Sequence, residues 1–211
     1  MNFLGRSFPW TTRPTVEEML AVLDGVGIRL RPTIPVAALF AEASRGDIER
    51  GGYEPLLAAL GRTRFLEEWN EGLGETWHEK WNETRLSDDV WTFLYEAIEG
   101  PGSYAWIVHH LGALTGGEIT FDAVRDHIDP EAGVAWAEVE RGGATERLDF
   151  KLHGDWADPA ILDWFQRLLA AVGSSRQFAR YNLGQDDLII CRTPEEIATM
   201  SKVTPLRFRA V

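Results

Sequence analysis

Helical patterns come before strand patterns along this chain, and that order constrains the fold more than any other feature of the sequence. Helix start signals, amphipathic spacing and glycine stops fill the first half, whereas alternating patterns begin only near residue 134. A doubly wound sheet would instead alternate strands with helices. The sequence therefore predicts an α+β fold, in which a helical N-terminal half packs on a small, mostly antiparallel sheet from the C-terminal half.

No stretch of linker-like composition interrupts the chain. We therefore expect a single globular domain over residues 1–211. Its helical part is predicted to cover about 1–117, and its mixed strand and helix part about 118–211.

Two capping boxes mark helix starts in the sequence. In Thr15–Glu18 and in Thr193–Glu196, a threonine is followed three residues later by a glutamate, so each side chain can bond the other's backbone N–H. Other helices are predicted near Pro35, over Pro55–Leu60, over Ser103–Leu114 and after Asp158-Pro159. Strands are predicted over Val134–Glu140 and Thr145–Leu152 as a hairpin, over Asp187–Arg192, and at the edge of the sheet over Leu206–Val211.

The charge balance limits the classes of partner. The 211 residues include 33 acidic and 21 basic side chains, giving a net charge of −12. Nucleic acids and anionic membrane surfaces attract basic faces, so neither is expected as a partner. The chain has no stretch of about 20 apolar residues and no signal-peptide pattern, and Cys191 is its single cysteine. We therefore expect a soluble, cytoplasmic protein in which Cys191 lies in a buried strand.

The range Phe65–Glu99, called the acidic tryptophan segment here, concentrates the negative charge. Ten acidic residues stand against Lys80 and Arg85, so eight of the twelve net negative charges lie in a sixth of the chain. Two series recur every fourth residue, which on a helix gives two slowly winding stripes. The aromatic and apolar series is Phe65, Trp69, Leu73, Trp77 and Trp81, and the acidic series is Glu67, Glu71, Glu75, Glu79 and Glu83.

Gly72 and Gly74 weaken a continuous helix in the middle of these stripes. Two short helices, or a partly irregular excursion, are the expected structures. The tryptophans could pack in the core while the glutamates face water, the range could be a disordered loop, or both series could form a recognition surface with tryptophan anchors. In the last case the predicted binding surface is Trp69, Glu71, Glu75, Trp77, Glu79, Trp81, Asp88 and Asp89.

Candidate catalytic residues are few. His110, His153 and Asp155 are the weak candidates for an acid–base site formed by residues distant in sequence. The range Asp126–Asp129 also brings a histidine close to carboxylates. Neither a pair of histidines four residues apart nor a Cys-x-x-Cys motif is present, so no metal is predicted, and no cofactor motif is found.

These observations favour binding over catalysis. The leading hypothesis is an acidic protein-binding module, in concrete form an immunity- or antitoxin-like inhibitor of a protein partner with a basic surface. Two alternatives remain open: a small hydrolase-type enzyme with a non-linear His/Asp site, and a structural domain without catalytic activity.

Overall fold

The computed structural model describes residues 13–41, 43–65 and 83–211. Within these ranges the helices are α1 (Val16–Asp24), α2 (Arg45–Gly51), α3 (Tyr53–Gly61), α4 (Ser103–Leu114), α5 (Ala160–Ala171) and α6 (Pro194–Val203), with a 3₁₀ helix over Val36–Phe40. The strands are β1 (Thr63–Phe65), β2 (Glu83–Arg85), β3 (Trp91–Leu94), β4 (Ala123–Asp129), β5 (Val134–Arg141), β6 (Ala144–Phe150), β7 (Gln177–Asn182), β8 (Asp186–Arg192) and β9 (Arg209–Ala210).

The strands form antiparallel sheets, which confirms the predicted α+β class. One sheet has the order β3-β8-β7-β9, a second has the order β4-β5-β6, and β1 pairs with β2. The predicted hairpin is β5–β6, and the predicted C-terminal edge strand is β9. Strands β1, β2, β3, β4 and β7 and helix α2 were not predicted from the sequence. Strands β2 and β3 lie within Phe65–Glu99, where short helices or an irregular excursion were expected.

Both faces of the four-stranded sheet are buried. Side chains of a strand alternate between faces, and β8 is apolar on both of them. Leu188 and Ile190 pack with α1, α2, α3 and α6 in one core cluster. Ile189 and Cys191 pack with α4, α5 and the three-stranded sheet in another. The sheet therefore separates two cores, and most of the N-terminal helices cover one of its faces.

The local helix signals are confirmed in atomic detail. The Thr15 hydroxyl accepts a hydrogen bond from Glu18 N at 3.2 Å, and Glu18 Oε2 accepts one from Thr15 N at 2.8 Å. Thr193 and Glu196 make the same reciprocal pair at 3.2 and 2.8 Å. Helix α4 has the predicted bounds. No helix within the described ranges is long and apolar enough to cross a membrane.

Candidate functional site

The two strands that flank residues 66–82 in the sequence pair with each other. Strands β1 and β2 are antiparallel, and Phe65 pairs directly with Glu83. The 17 residues between them, 66–82, lie outside the described residues. They include six of the eight residues of the predicted binding surface, namely Trp69, Glu71, Glu75, Trp77, Glu79 and Trp81, so their predicted arrangement stays a prediction.

Asp88, which follows β2, lies on the surface of the described fold. Its carboxylate is 3.0 Å from Arg31 Nε and 3.6 Å from Arg85 Nε, and its side chain is 46% exposed. Exposed ion pairs contribute about 0–1 kcal/mol, so a partner cation can compete for this carboxylate at little cost. The position of Asp88 is compatible with the predicted binding surface.

Asp89 has a different environment and holds parts of the fold together. Its carboxylate accepts a hydrogen bond from Arg29 N at 3.0 Å and forms an ion pair with Arg192, whose side chain is only 7% exposed. The same guanidinium donates to the carbonyl oxygens of Gly27 at 2.6 Å and Cys191 at 2.9 Å. Asp89 therefore joins the chain after β2 to the loop after α1 and to the end of β8.

The residues that flank the β1–β2 pair are called its base here, namely Arg62 before β1 and Leu86–Asp89 after β2. The contacts of Asp88 and Asp89 hold the part after β2 in place. Arg31 N also donates to Leu86 O at 2.8 Å, directly after β2. The chain that follows β2 is thus bonded to the loop after α1 and to the end of β8.

A shallow apolar cavity of about 180 Å³ lies beside this base. Arg62 precedes β1 and Leu86 follows β2, so the cavity lies next to the β1–β2 pair. Most of the other residues that line it are small, and they are Ala38, Leu39, Ala41, Ala43, Pro55, Ala58 and Ala59.

His110 is buried between aromatic rings. It is 3% exposed, stacks on Trp91 with ring centroids 4.6 Å apart, and meets Trp106 edge-on at 4.6 Å. A general acid or base must reach the substrate. The His110 ring instead lies on the buried side of α4, against Trp91 at the start of β3.

His153 and Asp155 lie together in the exposed loop between β6 and α5. The loop is joined to the chain after β3, because Ala157 N donates to Tyr95 O at 2.8 Å and Ile98 N to Asp155 O at 2.9 Å. Trp91 and Tyr95 are four strand residues apart, about 13 Å. His110 therefore lies at the start of β3, whereas the loop that carries His153 and Asp155 is bonded to the chain after the other end of this strand. This arrangement does not favour a hydrolase site built from all three.

A polar network near this loop was not predicted from the sequence. Asp187 is fully buried, and its carboxylate accepts hydrogen bonds from Tyr95 Oη at 2.9 Å, Arg180 Nη1 at 3.3 Å and Asn182 Nδ2 at 3.0 Å. Burial and the negative charge of Asp187 raise the pKa of Tyr95 to about 12. The phenol therefore keeps its proton at neutral pH and cannot act as a base. The network joins one end of strands β8 and β7 to the residue after β3.

Asp126, a candidate half of an acid–base pair, caps a helix instead. Helix α4 has no side-chain cap of its own, and the Asp126 carboxylate on β4 accepts hydrogen bonds from Gly102 N at 2.7 Å, Tyr104 N at 2.9 Å and Ala105 N at 3.2 Å. Backbone N–H groups at a helix start attract negative charge, which accounts for the carboxylate at this position.

The neighbouring candidates also make structural contacts. Asp129 accepts a hydrogen bond from Ala132 N at 2.9 Å in the turn before β5. His127 stacks on Trp136 with centroids 5.6 Å apart, and the Arg147 guanidinium lies 4.4 Å from the same indole ring.

In the described part of the chain, no group of three or more His, Cys, Asp or Glu side chains could hold a metal ion. Cys191 is buried, as predicted, and burial raises the pKa of its thiol to about 12.

No protein-family model matches the chain, and comparisons with curated proteins and with solved structures find no match either. The functional conclusion therefore depends on the residues and contacts described above.

Proposed function

We propose that this protein is an acidic protein-binding module, acting in the cytoplasm, that engages a basic protein partner through residues 66–82 and Asp88. The observation that carries the proposal is the direct pairing of Phe65 with Glu83. It brings both ends of an acidic, tryptophan-rich stretch to one held position on the fold, and a binding element whose ends are held has less conformational freedom to lose on association.

The composition of residues 66–82 suits such a partner. Five glutamates against one lysine give this stretch a formal net charge of −4, and it contains three tryptophans. Charge complementarity raises the rate of encounter and selects the partner, while tryptophan side chains supply much of the energy of typical interfaces. The apolar cavity beside Arg62 and Leu86 would extend the contact area next to the same base.

The concrete form of this proposal is an immunity- or antitoxin-like inhibitor. A protein of this kind gains from a concentrated acidic surface when its target is basic. Association should then be salt-sensitive, with a rate that falls as ionic strength rises.

An affinity capture from the source cells at low and high salt tests the proposal. The variant Glu71→Lys/Glu75→Lys/Glu79→Lys reverses three charges within residues 66–82. We expect one basic protein to be retained by the wild type at low salt, to be released at high salt and to be lost in this variant. Its affinity should fall at least tenfold when measured with the purified partner.

The matched control reverses three exposed glutamates elsewhere on the described surface, Glu99→Lys/Glu131→Lys/Glu195→Lys. It produces the same change in net charge, so a general electrostatic effect would appear in both variants. Retention of the partner by the control alone supports the proposed surface. Equal retention, or equal loss, in the two variants contradicts it.

A further inference from the structure

A buried hydrogen-bond donor without an acceptor lies beneath the β1–β2 pair. Trp91 is 2% exposed, and its indole Nε1 has no hydrogen-bond partner within the described part of the chain. The indole N–H can only donate, and leaving it unpaired costs about 1–3 kcal/mol. Buried donors in folded proteins nearly always have a partner, so this one requires an explanation.

A small cavity adjoins the same side chain. Its volume is about 10 Å³, which is enough for one water molecule. Its polar lining residues are Arg85, Ser87 and Asp88, from the end of β2 and the residues that follow it, and the rest of its lining is Gly61, Val90, Trp91, His110, Ala113 and Leu114. A bound water normally makes two to four hydrogen bonds, and the hydroxyl, carboxylate and guanidinium groups of this lining supply the polar surroundings that it needs.

We infer that this cavity is a binding site for a single water molecule, which accepts a hydrogen bond from Trp91 Nε1 and bridges it to the polar residues after β2. Two independent observations support the site: a buried donor without an acceptor, and a small cavity against the same side chain whose lining includes serine, aspartate and arginine residues. The water would join strand β3 to the chain that follows β2. The inference does not depend on the proposed partner.

Magnetisation transfer from water in the full-length, ¹⁵N-labelled protein tests this inference. The Trp91 Nε1 proton is assigned by its disappearance in Trp91→Phe or, if that variant does not fold, by its nuclear Overhauser contacts with the stacked His110 ring. We expect a direct cross-peak between this proton and water, with the sign of a long-lived, bound molecule. The half-exposed indole of Trp156 provides the positive control, because it exchanges with bulk water. Absence of the Trp91 cross-peak while the control peak is present would overturn the inference.

A cavity-filling variant locates the water. Ala113 lines the cavity on α4, and Ala113→Leu should displace the molecule and abolish the cross-peak. The matched control is Ala170→Leu, which makes the same change at an exposed helical position on α5 and should leave the peak intact. A peak that persists at full intensity in Ala113→Leu would place the water elsewhere and contradict the assignment.

Discussion

Asp88 and Asp89 are adjacent in sequence, but their carboxylates have opposite roles in the fold. Asp88 is about half exposed and pairs with exposed arginines. Asp89 pairs with the buried guanidinium of Arg192. Because removing one partner of a buried pair leaves the other charge without compensation, the two positions should respond differently to the same substitution.

We expect Asp89→Asn to lower the free energy of unfolding by about 2–3 kcal/mol. Asp88→Asn, the matched control at the neighbouring position, should change it by less than about 1 kcal/mol. Urea unfolding monitored by circular dichroism measures both. Equal losses in the two variants would mean that the Asp89–Arg192 pair does not have the stabilising role inferred from its burial.

At the scale of elements, Gly61 allows α3 to approach the edge of the four-stranded sheet. A Cβ atom on Gly61 would lie 2.5 Å from the backbone N of Thr92 on β3, which is far inside van der Waals contact. Thr92 Oγ1 also donates to Ala58 O at 2.8 Å, so helix and strand are already hydrogen-bonded at this crossing. The sequence indicated Gly61 only as a helix stop, whereas the fold also needs its missing side chain.

Gly61→Ala should therefore destabilise the protein by about 1–3 kcal/mol, because the helix must move away from the strand. Gly46 in α2 is the matched control, since the nearest atom to a Cβ at that position is 3.9 Å away. Gly46→Ala should stabilise the protein by up to about 1 kcal/mol, because alanine has the higher helix propensity. Thermal unfolding of both variants measures whether their stabilities change in opposite directions. Destabilisation of similar size in both would contradict the packing explanation.

At the scale of the whole molecule, burial in the core formed by the central sheet, α4, α5 and the three-stranded sheet makes stability sensitive to alkaline pH. Burial raises the pKa of Cys191 from 9.0 to about 12, and those of Tyr95 and Tyr104 from 10.0 to about 12. Because each pKa is raised by folding, the group releases its proton at a lower pH in the unfolded chain than in the folded protein. The resulting stability is fully present below the unfolded pKa and is lost progressively as the pH rises toward 12.

For Cys191 alone, the free energy of unfolding should fall by about 1 kcal/mol between pH 8 and pH 10, with further losses from the tyrosines. Cys191→Ala removes this group, so the variant should be less stable at pH 8 but should lose about 1 kcal/mol less over the same interval. Urea unfolding at the two pH values measures the difference. An identical pH dependence in wild type and variant would show that the thiol does not contribute.

Two of the strands that the sequence did not indicate, β4 and β7, share a physical cause. In β4, Asp126 lies between Val124 and Ile128, on the face where alternation predicts an apolar residue, because its carboxylate caps α4. In β7, Arg180 lies two residues after the buried Phe178 because it pairs with Asp187. Polar residues that bond to distant parts of the chain interrupt the period-two pattern from which a strand is inferred.

The sequence by itself determined the elements whose defining hydrogen bonds are local. Both capping boxes, the bounds of α4 and the β5–β6 hairpin depend on residues a few positions apart, so their patterns could be recognised directly. The concentration of acidic and tryptophan residues between Phe65 and Glu99 belongs to the same category, because it is a property of composition.

Only the tertiary structure decided which distant residues meet. The pairing of β3 with β8, the cap that Asp126 provides for α4 and the ion pair of Asp89 with the buried Arg192 each join residues that are far apart along the chain. Nothing in the local pattern specifies such partners, because they are selected by how the two cores pack against the sheet. The same packing paired Phe65 with Glu83, which are 18 positions apart in the sequence.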